Sequence, residues 1–169
     1  MKSVIKRGSL RVAAVGAVAA VALSFAGPAT AEGDPTGWAG SNGDDTVFGP
    51  DRCAGSTDWF RFRFYYHTGF GGAWVNIGHP VSDLTAVPVF NGARDVYYPV
   101  KFCDGTGDGA GQSAANNAAS AYNWFEHYAA TVYYSKNFTG GWDRVFPHSG
   151  YDLTATRNNN RSINFESYN

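Results

Sequence analysis

Leucine is nearly missing from this 169-residue chain, with four in all and only Leu84 and Leu153 beyond residue 31. Past the N-terminal stretch there is also no sustained apolar period of 3.6, which excludes a helical core. Histidine is scarce too. His67, His79, His127 and His148 have no zinc-ligand spacing, so a zinc centre is excluded. No nucleophile motif, phosphate-cradling glycine loop or framed carboxylate pair is legible, and the sequence therefore gives no enzyme reading. Basic charge is lacking as well. Of the 13 Lys and Arg, four (Lys2, Lys6, Arg7, Arg11) fall in the first eleven residues. The rest of the chain keeps nine against 14 acidic residues. A net charge near −5 argues against nucleic-acid or anionic-membrane partners.

Those four cations precede an apolar run that ends in Ala29-Thr30-Ala31, the small-x-small pattern of a signal peptidase site. Residues 1–31 are expected to be a signal peptide cleaved before Glu32, giving a secreted, extracellular protein. The apolar stretch, about Val12 to Ala26, is short of the ~20 residues of a membrane span, so no membrane insertion is expected after cleavage. Residues 32–169 suit one domain, expected to be monomeric.

What that part has in abundance is aromatic residues and glycine: nearly all of the 12 Phe, 10 Tyr and 5 Trp, and most of the 21 Gly. Short aromatic runs broken by glycine point to antiparallel β structure. The two cysteines, Cys53 and Cys103, both follow the signal, where oxidising conditions favour pairing over two buried thiols. One disulfide is expected, closing a loop of about 50 residues and worth ~4 kcal/mol on the chain-entropy estimate. Residues 32–52, rich in Gly, Asp, Pro and Ser without an apolar period, read as a flexible leader.

From Trp59 the text changes. "WFRFRFYY" puts Phe60, Phe62, Phe64 and Tyr66 on one face and Arg61, Arg63 and Tyr65 on the other, a half-buried strand. Downstream the theme returns: Tyr65, Phe70 and Gly72 have the spacing of Tyr133, Phe138 and Gly140. Such a unit fits a folded-over hairpin in which two aromatics pack across a turn that the glycine permits. Each copy continues to an Asp-Leu pair (Asp83-Leu84, Asp152-Leu153), then to Asn-Asn-x-x-Ser and a last strand: "NNAAS" from Asn116 and "NNNRS" from Asn158. Two copies indicate an internal duplication. The first carries an insertion of about 27 residues that includes "DVYYPVKFC".

This ordered pattern resembles the βγ-crystallin superfamily, and within it the small exported actinobacterial proteins that include metalloproteinase inhibitors and killer-toxin-like proteins. The resemblance covers roughly Trp59 to Phe165. It implies an all-β fold in which two Greek-key motifs, about 59–126 and 130–167, form a βγ-crystallin-like β-sandwich over residues 53–169, the first motif carrying the insertion.

Calcium-binding members use (Asn/Asp)-(Asn/Asp)-x-x-(Ser/Thr)-Ser, with a carbonyl from the other motif's hairpin completing the site. By resemblance, one weak calcium site would draw on Asn117, the Ala118 carbonyl, Ser120 and the Tyr134 carbonyl. A weaker second site would draw on Asn158, Asn159, Ser162 and the Tyr66 carbonyl. Oxygen donors suit a hard cation, but Ala121 replaces the final serine and both acidic options are asparagine. Matching the last strands instead, Ile163 with Tyr122, would put Arg161 where the hydroxyl belongs. The plainer reading is a turn closing each Greek key, with asparagine tolerating left-handed backbone. "DGTGDG" (Asp104–Gly109) resembles the start of an EF-hand loop but has Ala115 where a glutamate is needed, and reads as a glycine-rich turn. Asn137-Phe138-Thr139 is formally a glycosylation sequon.

Three functions follow from the resemblance. The first is a secreted, non-enzymatic peptidase (metalloproteinase) inhibitor partnered by an extracellular protease, although such inhibitors commonly have two disulfides and this chain has cysteines for one. The second is a calcium-binding structural module of the cell envelope or extracellular space. The third is a killer-toxin-like exported protein.

Overall fold

The structure, a computed structural model, describes residues 33–37 and 43–169. The expected signal peptide, residues 1–31, lies outside the described residues. Among the described residues, nine strands run β1 (Phe62–Tyr65), β2 (Trp74–Ile77), β3 (Val87–Phe90), β4 (Asp95–Tyr98), β5 (Ser120–Asn123), β6 (Tyr128–Ser135), β7 (Thr139–Val145), β8 (Ser149–Asp152) and β9 (Ser162–Ser167). They follow a short helix α1 (Gly43–Val47) and a 3-10 turn (Pro50–Cys53).

One sheet has the order β2-β1-β5-β8 and a second β7-β6-β9, with adjacent strands antiparallel. The second gains a fourth position where Val81 bridges Ile163, the two residues exchanging both backbone hydrogen bonds (2.9 and 3.0 Å). Each motif thus gives its third segment to the other motif's sheet: residues around Val81 join β9, and β8 joins β5. That exchange makes two Greek keys into one sandwich, the all-β βγ-crystallin-like architecture that the resemblance implied.

The alternation in "WFRFRFYY" works as expected at its centre. Phe62 and Phe64 are fully buried, and Arg63 lies on the opposite face. Between the sheets they meet Val75, Ile77, Val132 and Ile163. Phe62 packs edge-on to Phe165 with ring centroids 6.0 Å apart. The two scarce leucines, Leu84 and Leu153, are both fully buried, anchoring the exchanged segments from each side.

The insertion forms a separate two-stranded sheet, β3 with β4. It then returns over a stretch that the Cys53–Cys103 disulfide fastens, with a Cα separation of 5.6 Å. The sequence expectation fails at the leader. Residues 43–52, read as flexible, form α1 and most of the 3-10 turn. Their order comes from packing rather than propensity. Val47 joins the core cluster, Thr46 is fully buried, and Gly43 sits so close to the Pro88 carbonyl that a Cβ would collide with it.

Candidate functional site

The two asparagine loops lie against each other, and their geometry explains their sequence. Asn116 and Asn158 occupy equivalent left-handed positions, at φ 60° and 54°, a conformation asparagine tolerates better than most residues. That turn lets each donate its amide to the other loop: Asn116 to the Asn160 carbonyl (2.8 Å) and Asn158 to the Ala118 carbonyl (2.9 Å). A buried side chain finishes the clasp. Asn160 accepts from the Ala118 amide (3.1 Å) and donates to the Ala114 carbonyl (2.8 Å). Sequence reasoning passed over Asn160, the third asparagine of "NNN", although its partner position, Ala118, had been picked out.

The serines complete the pattern. The Ser120 hydroxyl donates to the His67 carbonyl (2.7 Å) and accepts the Phe70 amide (3.0 Å). Ser162 does the same with the Ser135 carbonyl (2.6 Å) and the Phe138 amide (3.0 Å). Because Ser120 pairs with Tyr65 and Ser162 with Tyr133, the two serines are equivalent. The alternative register that puts Arg161 in the serine's place does not occur. Each hydroxyl staples its own motif's folded hairpin, whose Phe70 and Phe138 both have φ near 60°. The expected aromatic pairs are present, with Tyr65–Phe70 centroids 5.5 Å apart and Tyr133–Phe138 6.1 Å apart.

These donors do not fit the calcium sites that the resemblance implied. Ser120 faces the hairpin of its own motif, whereas Tyr134 lies in the other. The Ala118 carbonyl already accepts Asn158, and Asn117 turns its amide nitrogen to the Ser113 and Ala115 carbonyls. An open groove of about 740 Å³ does gather Asn116, Tyr134 and Asn159, but Lys136 and Arg161 line it too. Asn117, Ala118 and Ser120 are not in its lining. Arg161 is committed to Asp83, Nε to Oδ1 at 2.9 Å, and to the Thr85 hydroxyl. Burial pushes the Asp83 carboxyl up, but the bonds from Arg161 and Thr85 outweigh it and hold the group below its ordinary value. Lys136, in no ion pair among the described residues, opposes a further cation there. In the second set, Asn159 bonds the Arg157 carbonyl, and the Ser162 hydroxyl is taken up by the hairpin of its own motif. Among the described residues no group of three or more His, Cys, Asp or Glu is placed to hold a metal.

"DGTGDG" is a clamp. Thr106 donates to the Cys103 carbonyl and accepts the Trp74 amide, the Asp108 carbonyl accepts the Ala73 amide, and the Asp108 carboxylate meets His67 Nε2 at 2.8 Å. The loop thereby pins the insertion to the start of β2.

The β3–β4 tip, which sequence reasoning did not single out, is exposed and yet ordered. Residues 90–95 are all exposed, Phe90 at 66%. The turn is nonetheless fixed. The Asn91 side chain accepts the amides of Ala93 and Arg94 (3.1 Å each), the Asn91 amide donates to the Arg94 carbonyl, and Gly92 has φ 91°. Tyr97, also exposed, stands on the same hairpin. Below it Val87 and Val89 are buried against α1 and the core. Asn91-Gly92 between the apolar runs "VPVF" and "DVYY" was the available sequence cue.

No model of a known protein family matches the chain, and no curated protein matches it. Among solved structures it is similar to one described as "Evolution of the eye lens beta-gamma-crystallin domain fold", at 15% identity over 65% of this chain and 88% of that one, TM-score 0.43. It is also similar to the N-terminal domain of protein S (19% identity, 63% and 96% covered, TM-score 0.39). A third is a βγ-crystallin domain from Clostridium beijerinckii (17%, 62% and 95%, TM-score 0.40). The fold is read from the strand order and the exchanged third segments rather than from these likenesses.

Proposed function

We propose that the protein is an extracellular, non-enzymatic binding protein of the peptidase-inhibitor type, in which the sandwich is the scaffold and the insertion hairpin the contact surface. The observation that carries this reading is the fixed, exposed tip Phe90–Asp95. A loop held in one conformation before contact loses little entropy on binding, and this preorganisation is how rigid inhibitors gain affinity. Phe90 and Tyr97 supply apolar anchors and Arg94 an exposed cation, the residue types that dominate interface energetics. The disulfide and α1 hold the hairpin's base, so that pressing the tip into a cleft does not splay it. The tip is the contact region and the asparagine loops are structural.

Titrating the purified chain into a panel of secreted metallo- and serine peptidases tests the reading. Stoichiometric inhibition of at least one enzyme, with the hairpin left uncleaved, is expected. Digestion or indifference across the panel would remove it. This reading does not draw on calcium.

A further inference from the structure

A second feature lies at the base of the insertion. Between the 3-10 turn, the end of β4 and the stretch after it lies a cleft of about 370 Å³. That size falls within the ~300–1,000 Å³ range of small-molecule sites. Its walls are apolar and aromatic: Val47, Phe48, Tyr98 and the buried Phe102, with Phe48 and Tyr98 meeting edge-on, centroids 4.9 Å apart. Into this setting the chain brings Arg52 and Lys101, with Asp104 also in the lining.

Arg52 is the unusual member. One guanidinium nitrogen donates to the Lys101 carbonyl at 2.6 Å, while its Nε is buried with no partner. The ion pairs of the described residues involve His67, Arg144, Arg157 and Arg161, and not Arg52. Burial pushes its guanidinium below the ordinary value, with Asp104 acting in the opposite sense. The Lys101 ammonium makes no bond among the described residues and is exposed at the same cleft. A half-buried guanidinium with one nitrogen bonded and its Nε left without a partner is complementary to a carboxylate, and the aromatic walls are complementary to an apolar body attached to it. Two cations against one anion leave the cleft positive on a chain that is otherwise acidic.

We propose that this cleft binds a small organic carboxylate with an aromatic or apolar body, its acid group on Arg52 and Lys101 and its body between Phe48, Tyr98 and Phe102. The site is independent of the peptidase reading.

The test is a titration of the full secreted chain with phenylacetate and indole-3-acetate, alongside phenylacetamide and inorganic phosphate. It is followed by calorimetry and by amide and arginine Nε resonances. Expected are saturable binding of the two carboxylates, a shift of the Arg52 Nε resonance, and at least tenfold weaker binding of the amide and of phosphate. Arg52→Gln should weaken phenylacetate binding at least tenfold. Lys101→Gln, which alters only an exposed side chain, should weaken it about threefold with unchanged melting. The proposal is overturned if neither carboxylate saturates by 10 mM, or if amide and acid bind alike. It is also overturned if phosphate competes equally, or if Lys101→Gln and a folded Arg52→Gln bind as the native chain does.

Discussion

At the scale of single residues, the repeated letters carry the geometry. Ser120 and Ser162 were legible because they recur at one spacing. Their role was not, since a hydroxyl at a loop's end reads equally as a cation donor or as a staple, and only the partners decide. Replacing either by alanine leaves a carbonyl and an amide of the folded hairpin unmatched, at about 1–3 kcal/mol per site. Denaturant unfolding of Ser120→Ala and Ser162→Ala should show comparable losses, the same in 10 mM calcium as in EDTA. Asp143 is a second case. It accepts bonds from the amides of Thr154, Ala155 and Thr156 and from the hydroxyls of Thr154 and Thr156. Burial raises its carboxyl, but those bonds prevail and leave it below the ordinary value, as at Asp83. A carboxyl lowered in the fold stabilises fully above its unfolded pKa, about 3.9, and loses that contribution as pH falls through the folded value. Melting temperature should therefore hold from neutrality to about pH 5 and drop below about pH 4, with a shallower drop in Asp143→Asn.

At the scale of elements, what duplicates was readable and what is held by distant contacts was not. The two folded hairpins and the Asp-Leu pairs follow from spacing, and the disulfide was expected from an export signal. Helix α1 did not, because "GDDTV" has no amphipathic period. It is helical where it docks on β3, and a five-residue helix has little stability of its own. The exchange around Val81 was equally hidden, since a single bridge leaves no alternation to read. Held to the body by Cys53–Cys103 and α1, the insertion should loosen first when the disulfide goes. Cys53→Ser/Cys103→Ser should lower stability by about 2–5 kcal/mol. Hydrogen exchange should then rise over residues 87–103 while β6 and β7 stay protected. Uniform loss across both sheets would mean that the disulfide supports the whole sandwich instead.

At the scale of the whole molecule, a nearly symmetric sandwich carries one large departure from its symmetry. The halves share their left-handed positions, staples and reciprocal asparagine clasp, and those shared features serve folding. The insertion has no counterpart in the second motif, and its tip, residues 90–95, is exposed. Surface aromatics that stabilise nothing can be removed without loss of fold, so scaffold and contact surface should separate cleanly by mutation. The most direct test is inhibition of an extracellular metallopeptidase by the native chain and by Phe90→Ser/Tyr97→Ser, with melting recorded for both. The account predicts stoichiometric inhibition by the native chain, at least a hundredfold weaker inhibition by the variant, and melting temperatures within about two degrees. Equal inhibition by the two proteins would contradict it, as would a variant whose inhibition weakens only because it has unfolded.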